Sequence, residues 1–217
     1  MTIWDDIYKN YQKGGDAWAT IKGDLAPAFF DFIEGNNFKL KSVLDIGCGT
    51  GKYMVFLKNL GFKITGLDSS ETALEMTRKL LGGNGDVICA DMFNFAVPSD
   101  KYDLVYSIST IHHGSKEVIA RLIEKIYNSL TPGGQIFITL PNIAALNKWE
   151  TFRNHEDLAP GTYAPLSGPE KGLAHSFFAE EEIKDIFSRF GDLKIKLDET
   201  GRWVITGRKK IKLYSDE

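Results

Sequence analysis

Cysteine is scarce in this chain, with Cys48 and Cys89 the two thiols in 217 residues. Two thiols cannot build the disulfide framework of a small secreted domain, and they read as reduced, cytosolic groups. No apolar run approaches the ~20 residues needed to cross a bilayer. The opening stretch MTIWDDIYKNYQKGGD holds neither a continuous apolar h-region nor a small-residue cleavage site. A cytoplasmic location without a membrane partner is expected. An excess of one charge is missing too: 26 Lys and Arg against 29 Asp and Glu leave a net charge of -3. That balance gives no electrostatic footprint for a general nucleic-acid binder. His112, His113, His155 and His175 form no HxxxH or HExxH pair, so no metal site is expected. Internal repeats and low-complexity segments are absent as well.

What is present looks globular, with 43% hydrophobic and 25% charged residues. From residue 42 onward, short apolar runs alternate with helical patterns. SVLDI (42–46), KITGLD (63–68), DVICAD (86–91), YDLVYSIS (102–109) and QIFITL (135–140) read as strands. Tyr53, Phe56, Leu57 and Leu60 recur at i, i+3, i+4 and i+7, which predicts an amphipathic helix. Ser69 and Ser70 can cap a second helix that runs to about Leu81 and ends at GGNG (82–85). Val118, Leu122, Ile126 and Leu130 predict a third over 116–130, stopped by Thr131-Pro132-Gly133-Gly134. Ile183, Ile186, Phe187 and Phe190 mark a fourth. LKIKLD (193–198) and RWVITGR (202–208), separated by Glu199-Thr200-Gly201, read as a closing antiparallel hairpin. This alternation predicts an α/β, Rossmann-like, doubly wound sheet of seven strands. The sheet is mostly parallel with its last strand antiparallel. Ligands should then gather at the carboxyl edge, just after Ile46, Leu67, Ala90, Ser107 and Leu140.

The strongest motif is Asp45-Ile46-Gly47-Cys48-Gly49-Thr50-Gly51, between the first strand and its helix. Glycines there allow positive φ and close approach of a ligand to the backbone, and free amides at a helix start favour anionic groups. A phosphate-cradling GxxxxGK[ST] loop fails on spacing. The dinucleotide fingerprint GxGxxG requires glycine where Lys52 stands.

The GxGxG loop preceded by Asp45 resembles the first motif of class I S-adenosylmethionine-dependent methyltransferases. Asp68, ending the second strand, resembles the family's acidic residue that holds both ribose hydroxyls. A carboxylate suits that task because it can accept two hydrogen bonds from a vicinal diol. Asp91 stands where the family contacts the adenine amino group, with Met92 an apolar wall beside it. The strand YDLVYSIS with Thr110-Ile111-His112-His113, and the turn LTPGGQIFITLPN, resemble later motifs in matching order over 42–140. The resemblance implies S-adenosyl-L-methionine as cofactor. It implies a cofactor-contacting set of Tyr11, Asp45, Gly47, Cys48, Gly49, Thr50, Gly51, Asp68, Ser69, Ala90, Asp91, Met92, Ser107 and Ile108. EKGLAHSFFAEEEI (170–183) resembles a stretch of tellurite-resistance-type and related small-molecule methyltransferases.

In such chemistry the sulfonium methyl is already electrophilic, so the protein must align the acceptor and exclude water. A general base is needed only for an acceptor that is protonated at working pH. His112 and His113 follow the fourth strand at the ligand edge and are candidates for a base or for substrate contact; His175 is a weaker candidate. The domain is read as one unit, 1–217, with an aromatic helical cover (1–41), a cofactor core (42–140), an insertion (141–179) and a completing segment (180–208). Trp4, Tyr8 and Tyr11 share a helical face in the cover. Trp18 resembles a tryptophan found just before such cores. A small-molecule acceptor and a monomer or homodimer are expected. A nucleic-acid methyltransferase should carry Asn/Asp-Pro-Pro-Tyr after the fourth strand, where Ser107-Ile108-Ser109-Thr110 stands instead. A protein methyltransferase and a non-catalytic cofactor-binding relative are the remaining alternatives.

Overall fold

The computed structural model describes residues 2–15, 25–36, 42–83 and 86–211. Trp18 and the last two residues of the GGNG stop lie outside the described residues. Two helices come first, α1 (Ile3–Gln12) and α2 (Pro27–Glu34). Thr2 and Asp5 form a reciprocal capping box that starts α1, and Pro27 opens α2 where no backbone donor is needed. The core then runs β1 (Ser42–Ile46), α3 (Lys52–Asn59), β2 (Lys63–Asp68), α4 (Glu71–Leu80), β3 (Asp86–Cys89), β4 (Tyr102–Ser107), α5 (Lys116–Ser129) and β5 (Leu130–Pro141). An insertion follows with two 3-10 turns (Ile143–Lys148, Glu150–Phe152), β6 (His155–Ala159), β7 (Thr162–Pro165) and β8 (His175–Ser176). Helix α6 (Glu180–Ile186), β9 (Gly191–Leu197) and β10 (Arg202–Arg208) close the chain.

Seven strands form one sheet in the order β3-β2-β1-β4-β5-β10-β9. β1 to β5 pair in parallel, whereas β10 runs antiparallel to both β5 and β9. Alternation along the strands divides the core into two layers. Leu44, Ile46, Val105 and Ile138 meet Ile123 and Ile126 of α5 on one face. Val43, Leu104 and Phe137 meet Phe29 and Ile33 of α2 and Met54 and Leu57 of α3 on the other. The expected doubly wound architecture is present, and both faces are covered.

Several local expectations need correcting. β5 begins at Leu130, directly after α5, and not at residue 135. The Thr131-Pro132-Gly133-Gly134 stop ends the helix but lies within the strand, where the register against β4 jumps from Tyr102↔Leu130 to Leu104↔Gln135. On α3 the buried residues are Met54 and Leu57, and Leu60 is 54% exposed. The 3.6-residue stripe was centred on the wrong flank because Tyr53 and Phe56 border the buried face without forming its middle. Cys89 is exposed, because β3 is an edge strand of the sheet. Helix α6 ends at Ile186, yet Phe187 and Phe190 stay buried against the sheet. The insertion is a folded unit: β6, β7 and β8 make an antiparallel sheet over a cluster of Leu146, Phe152 and Phe177. Among the described residues, no helix is long and apolar enough to cross a membrane.

Candidate functional site

The glycine loop turns at the carboxyl end of β1. Gly47, Gly49 and Gly51 take φ of +78°, +53° and +81°, a region that side chains other than glycine rarely occupy. Space gives a second reason for glycine: a β-carbon on Gly47 would overlap the Thr110 side chain, and one on Gly49 would lie 2.7 Å from the Tyr8 hydroxyl. Asp68, at the end of β2, holds the loop in place. Its Oδ2 accepts the Gly49 N–H at 2.9 Å and its Oδ1 accepts the Ser70 N–H at 2.9 Å. Each oxygen keeps a lone pair for a ligand.

A cavity of about 1010 Å³ opens along this edge. It is lined by Asp45, Gly47, Cys48, Gly49, Thr50, Asp68, Ser69, Ala90, Asp91, Met92 and Ile108, all expected from the motifs. Tyr11, Gly51 and Ser107 do not line it. Tyr8, one turn earlier on α1, lines it. Gly51 serves instead as the left-handed N-cap of α3, and Ser107 is fully buried with its hydroxyl donating to the Ile46 carbonyl at 2.8 Å. Phe93 lines the cavity beside Met92, a contact the sequence did not single out. Asp91 folds its own turn, accepting from the Phe93 N–H at 2.9 Å and the Asn94 amide at 2.7 Å.

Burial governs the ionisable groups here. It pushes Asp45 up to about 8 against a hydrogen bond from the Tyr106 hydroxyl at 2.8 Å, with nearby Asp68 adding to the rise. It also raises Asp68, opposed by the backbone N–H groups that the carboxylate accepts. The Cys48 thiol goes well above its usual value, first through burial and then through Asp45 and Asp68, so it is no ready thiolate.

The other end of the cavity collects all three candidate histidines, His112, His113 and His175. Ring centroids lie 4.1 Å apart for His112–His113 and 4.6 Å for His113–His175. Glu170, which the sequence reading passed over, lies between them: its Oε2 is 3.1 Å from His175 Nε2 and its Oε1 is 3.7 Å from His113 Nε2. Its proximity five residues before His175 was the available signal. The two imidazoles hold the Glu170 carboxyl well below its usual value despite its burial. Burial pushes His112 and His113 toward the neutral form. Trp4 of α1 meets His113 edge-on at 4.7 Å, and Trp149 and Phe152 of the insertion line the same end. Arg202 stacks its guanidinium 4.4 Å from the Trp149 ring centre, and its Nη1 is buried without a hydrogen-bond partner among the described residues. Burial lowers its pKa to about 10.

Residues 43–134 match the family model of a methyltransferase domain. The chain is 32% identical over 143 residues to phosphoethanolamine N-methyltransferase of Plasmodium falciparum, covering 64% of this chain and 51% of that one. It is 36% identical over 126 residues to a probable tRNA methyltransferase 9B of Mus musculus, covering 58% and 27%. The chain thus spans about half or less of the length of the curated relatives it matches. Among solved structures it is similar to the 1,6-didemethyltoxoflavin-N1-methyltransferase of Burkholderia thailandensis, crystallised with bound 1,6-didemethyltoxoflavin and S-adenosylhomocysteine. That likeness has a TM-score of 0.67 at 19% identity, covering 96% of this chain and 87% of the other. Residues 43–134 are thus similar to a methyltransferase domain, and the chain shares the fold of solved S-adenosylmethionine-dependent methyltransferases.

Proposed function

We propose that the protein transfers the methyl group of S-adenosylmethionine to a small-molecule acceptor by in-line displacement. One observation carries this reading: a single cavity joins the glycine-loop end to a walled chamber that holds the three histidines, Glu170 and Arg202. The cofactor lies along Gly47, Gly49 and Asp68, with the ribose on Asp68 and the adenine beside Met92 and Phe93. Its sulfonium then faces the chamber between Tyr8 and His113. The acceptor's heteroatom attacks the methyl carbon while the carbon–sulfur bond breaks, leaving S-adenosylhomocysteine. The chain's tasks are to align that approach and to keep water out. The histidine–glutamate cluster faces the acceptor and orients it. Arg202, with a buried donor to satisfy, favours an acceptor bearing an anionic or hydrogen-bond-accepting group. The tRNA methyltransferase likeness is the second reading. Against it stand Asp198 and Glu199 on the cavity wall near Arg202, which would meet a phosphate backbone with like charge.

Calorimetry with S-adenosylmethionine tests the proposal. Asp68→Ala removes both the ribose acceptor and the Gly49 anchor, and should weaken affinity by ~1.5–3 kcal/mol, the range for hydrogen bonds to a charged group. Unchanged affinity would show that the ribose assignment is wrong.

A further inference from the structure

We propose that His112, His113 and His175, with Glu170 beside them, bind a divalent transition-metal cation on the acceptor side of the cavity. The hydrogen bonds engage one nitrogen of His113 and of His175 and turn the other toward Glu170. His113 Nδ1 lies 2.6 Å from the Thr110 carbonyl and His175 Nδ1 lies 2.8 Å from the Leu173 carbonyl. A carbonyl can only accept, so both Nδ1 atoms carry the proton. That leaves each ring's Nε2 facing the Glu170 carboxylate, at 3.7 Å for His113 and 3.1 Å for His175. Nε2 is the nitrogen each of these rings can offer a cation, with the carboxylate beside it. His112 adds an unmet group: it is 2% exposed, and its Nδ1 has no partner among the described residues.

The three imidazoles already hold ligand-capable nitrogens within 4.8 Å of one another. Tetrahedral zinc with metal–nitrogen bonds of ~2.0–2.1 Å would set them roughly 3.3 Å apart, a closure within reach of side-chain rotation. Backbone carbonyls on the distal Nδ1–H groups are the outer partners that orient metal-binding histidines elsewhere. Imidazole donors suit Zn²⁺, Co²⁺, Ni²⁺ or Fe²⁺ over Mg²⁺ and Ca²⁺. Glu170 supplies the balancing negative charge. Sequence spacing hides such a site, because the residues come from the loop after β4 and from the insertion. Its catalytic meaning rests on the methyl-transfer reading: a hydroxyl or thiol acceptor held at the cation would lose its proton more readily, with Glu170 placed to take it.

The test is titration of the metal-free full chain with Co²⁺, read by visible absorption, alongside calorimetry with S-adenosylmethionine. We expect one equivalent of Co²⁺ with the d–d bands of nitrogen ligation, displaced by Zn²⁺. His113→Ala and His175→Ala should each abolish those bands, and His175→Ala should do so while cofactor affinity stays intact. Glu170→Gln, nearly isosteric, should weaken Co²⁺ binding by about 10–100-fold and guards against a histidine variant that fails to fold. Absence of the bands in the wild type, or equal bands in the histidine variants, overturns the metal site. Co²⁺ binding without cofactor binding would keep the metal site and remove the methyl-transfer reading.

Discussion

Asp45 is the residue at which acidity and stability are most tightly linked. It is 3% exposed, and its carboxyl is pushed up to about 8 by burial, against the Tyr106 hydrogen bond. In the unfolded chain it titrates at ~3.9. Between those values the folded state binds more protons than the unfolded state, so stability falls as pH rises through that window, by at most ~1.4 kcal/mol per unit. Asp45→Asn imitates the protonated form and can still accept from Tyr106. Thermal melts of the free protein at pH 4 and pH 8 should therefore show the variant gaining on the wild type as pH rises. A constant difference between the two would mean that Asp45 ionises normally in the fold.

At the scale of elements, Asp5 ties the cover to the core. Its carboxylate accepts from the Thr2 N–H at 2.9 Å and from the Ser70 hydroxyl at 2.8 Å, so the cap of α1 is bonded to the cap of α4. Burial alone would raise the Asp5 carboxyl, but hydrogen bonds from Thr2, Ser70 and Thr72 win and hold it well below the usual range. Asp5→Ala should loosen α1, and trypsin should then cut at exposed Lys13 several-fold faster while the sheet resists. Cofactor affinity should fall in step, because Tyr8 leaves the glycine loop with the helix. Equal cleavage of variant and wild type would show that other contacts hold α1. The parts of the site that could be read from the sequence are those built locally. Gly47, Gly49 and Asp68 sit at strand ends, where a short motif dictates backbone and ligand contact together. Tyr8 and Tyr11 share a stripe, and only packing on the core decides which one meets the loop. Glu170 and Arg202 were illegible because their roles depend on the insertion folding back across β4 and β10.

For the whole molecule, the cofactor should act as a folding ligand. S-adenosylmethionine at 100 times its dissociation constant should add ~2.7 kcal/mol of stability. For a chain of this size each kcal/mol is worth ~2–4 °C, so the melting temperature should rise by about 5–11 °C. NAD at the same concentration should leave it unmoved, and a shift with NAD alone would contradict the cofactor assignment. The insertion is also sewn to the body of the protein. The Ser176 N–H donates to the His112 carbonyl at 2.9 Å, and its hydroxyl donates to the Gly114 carbonyl at 2.7 Å. On the proposed acceptor assignment, the two halves of that wall are bonded to each other and should change together. A graft of 142–179 from a relative would import a new histidine and carboxylate against an unmatched loop. New acceptor ranges in this lineage should arise by coupled change in both segments, while the glycine-loop half stays free of that constraint.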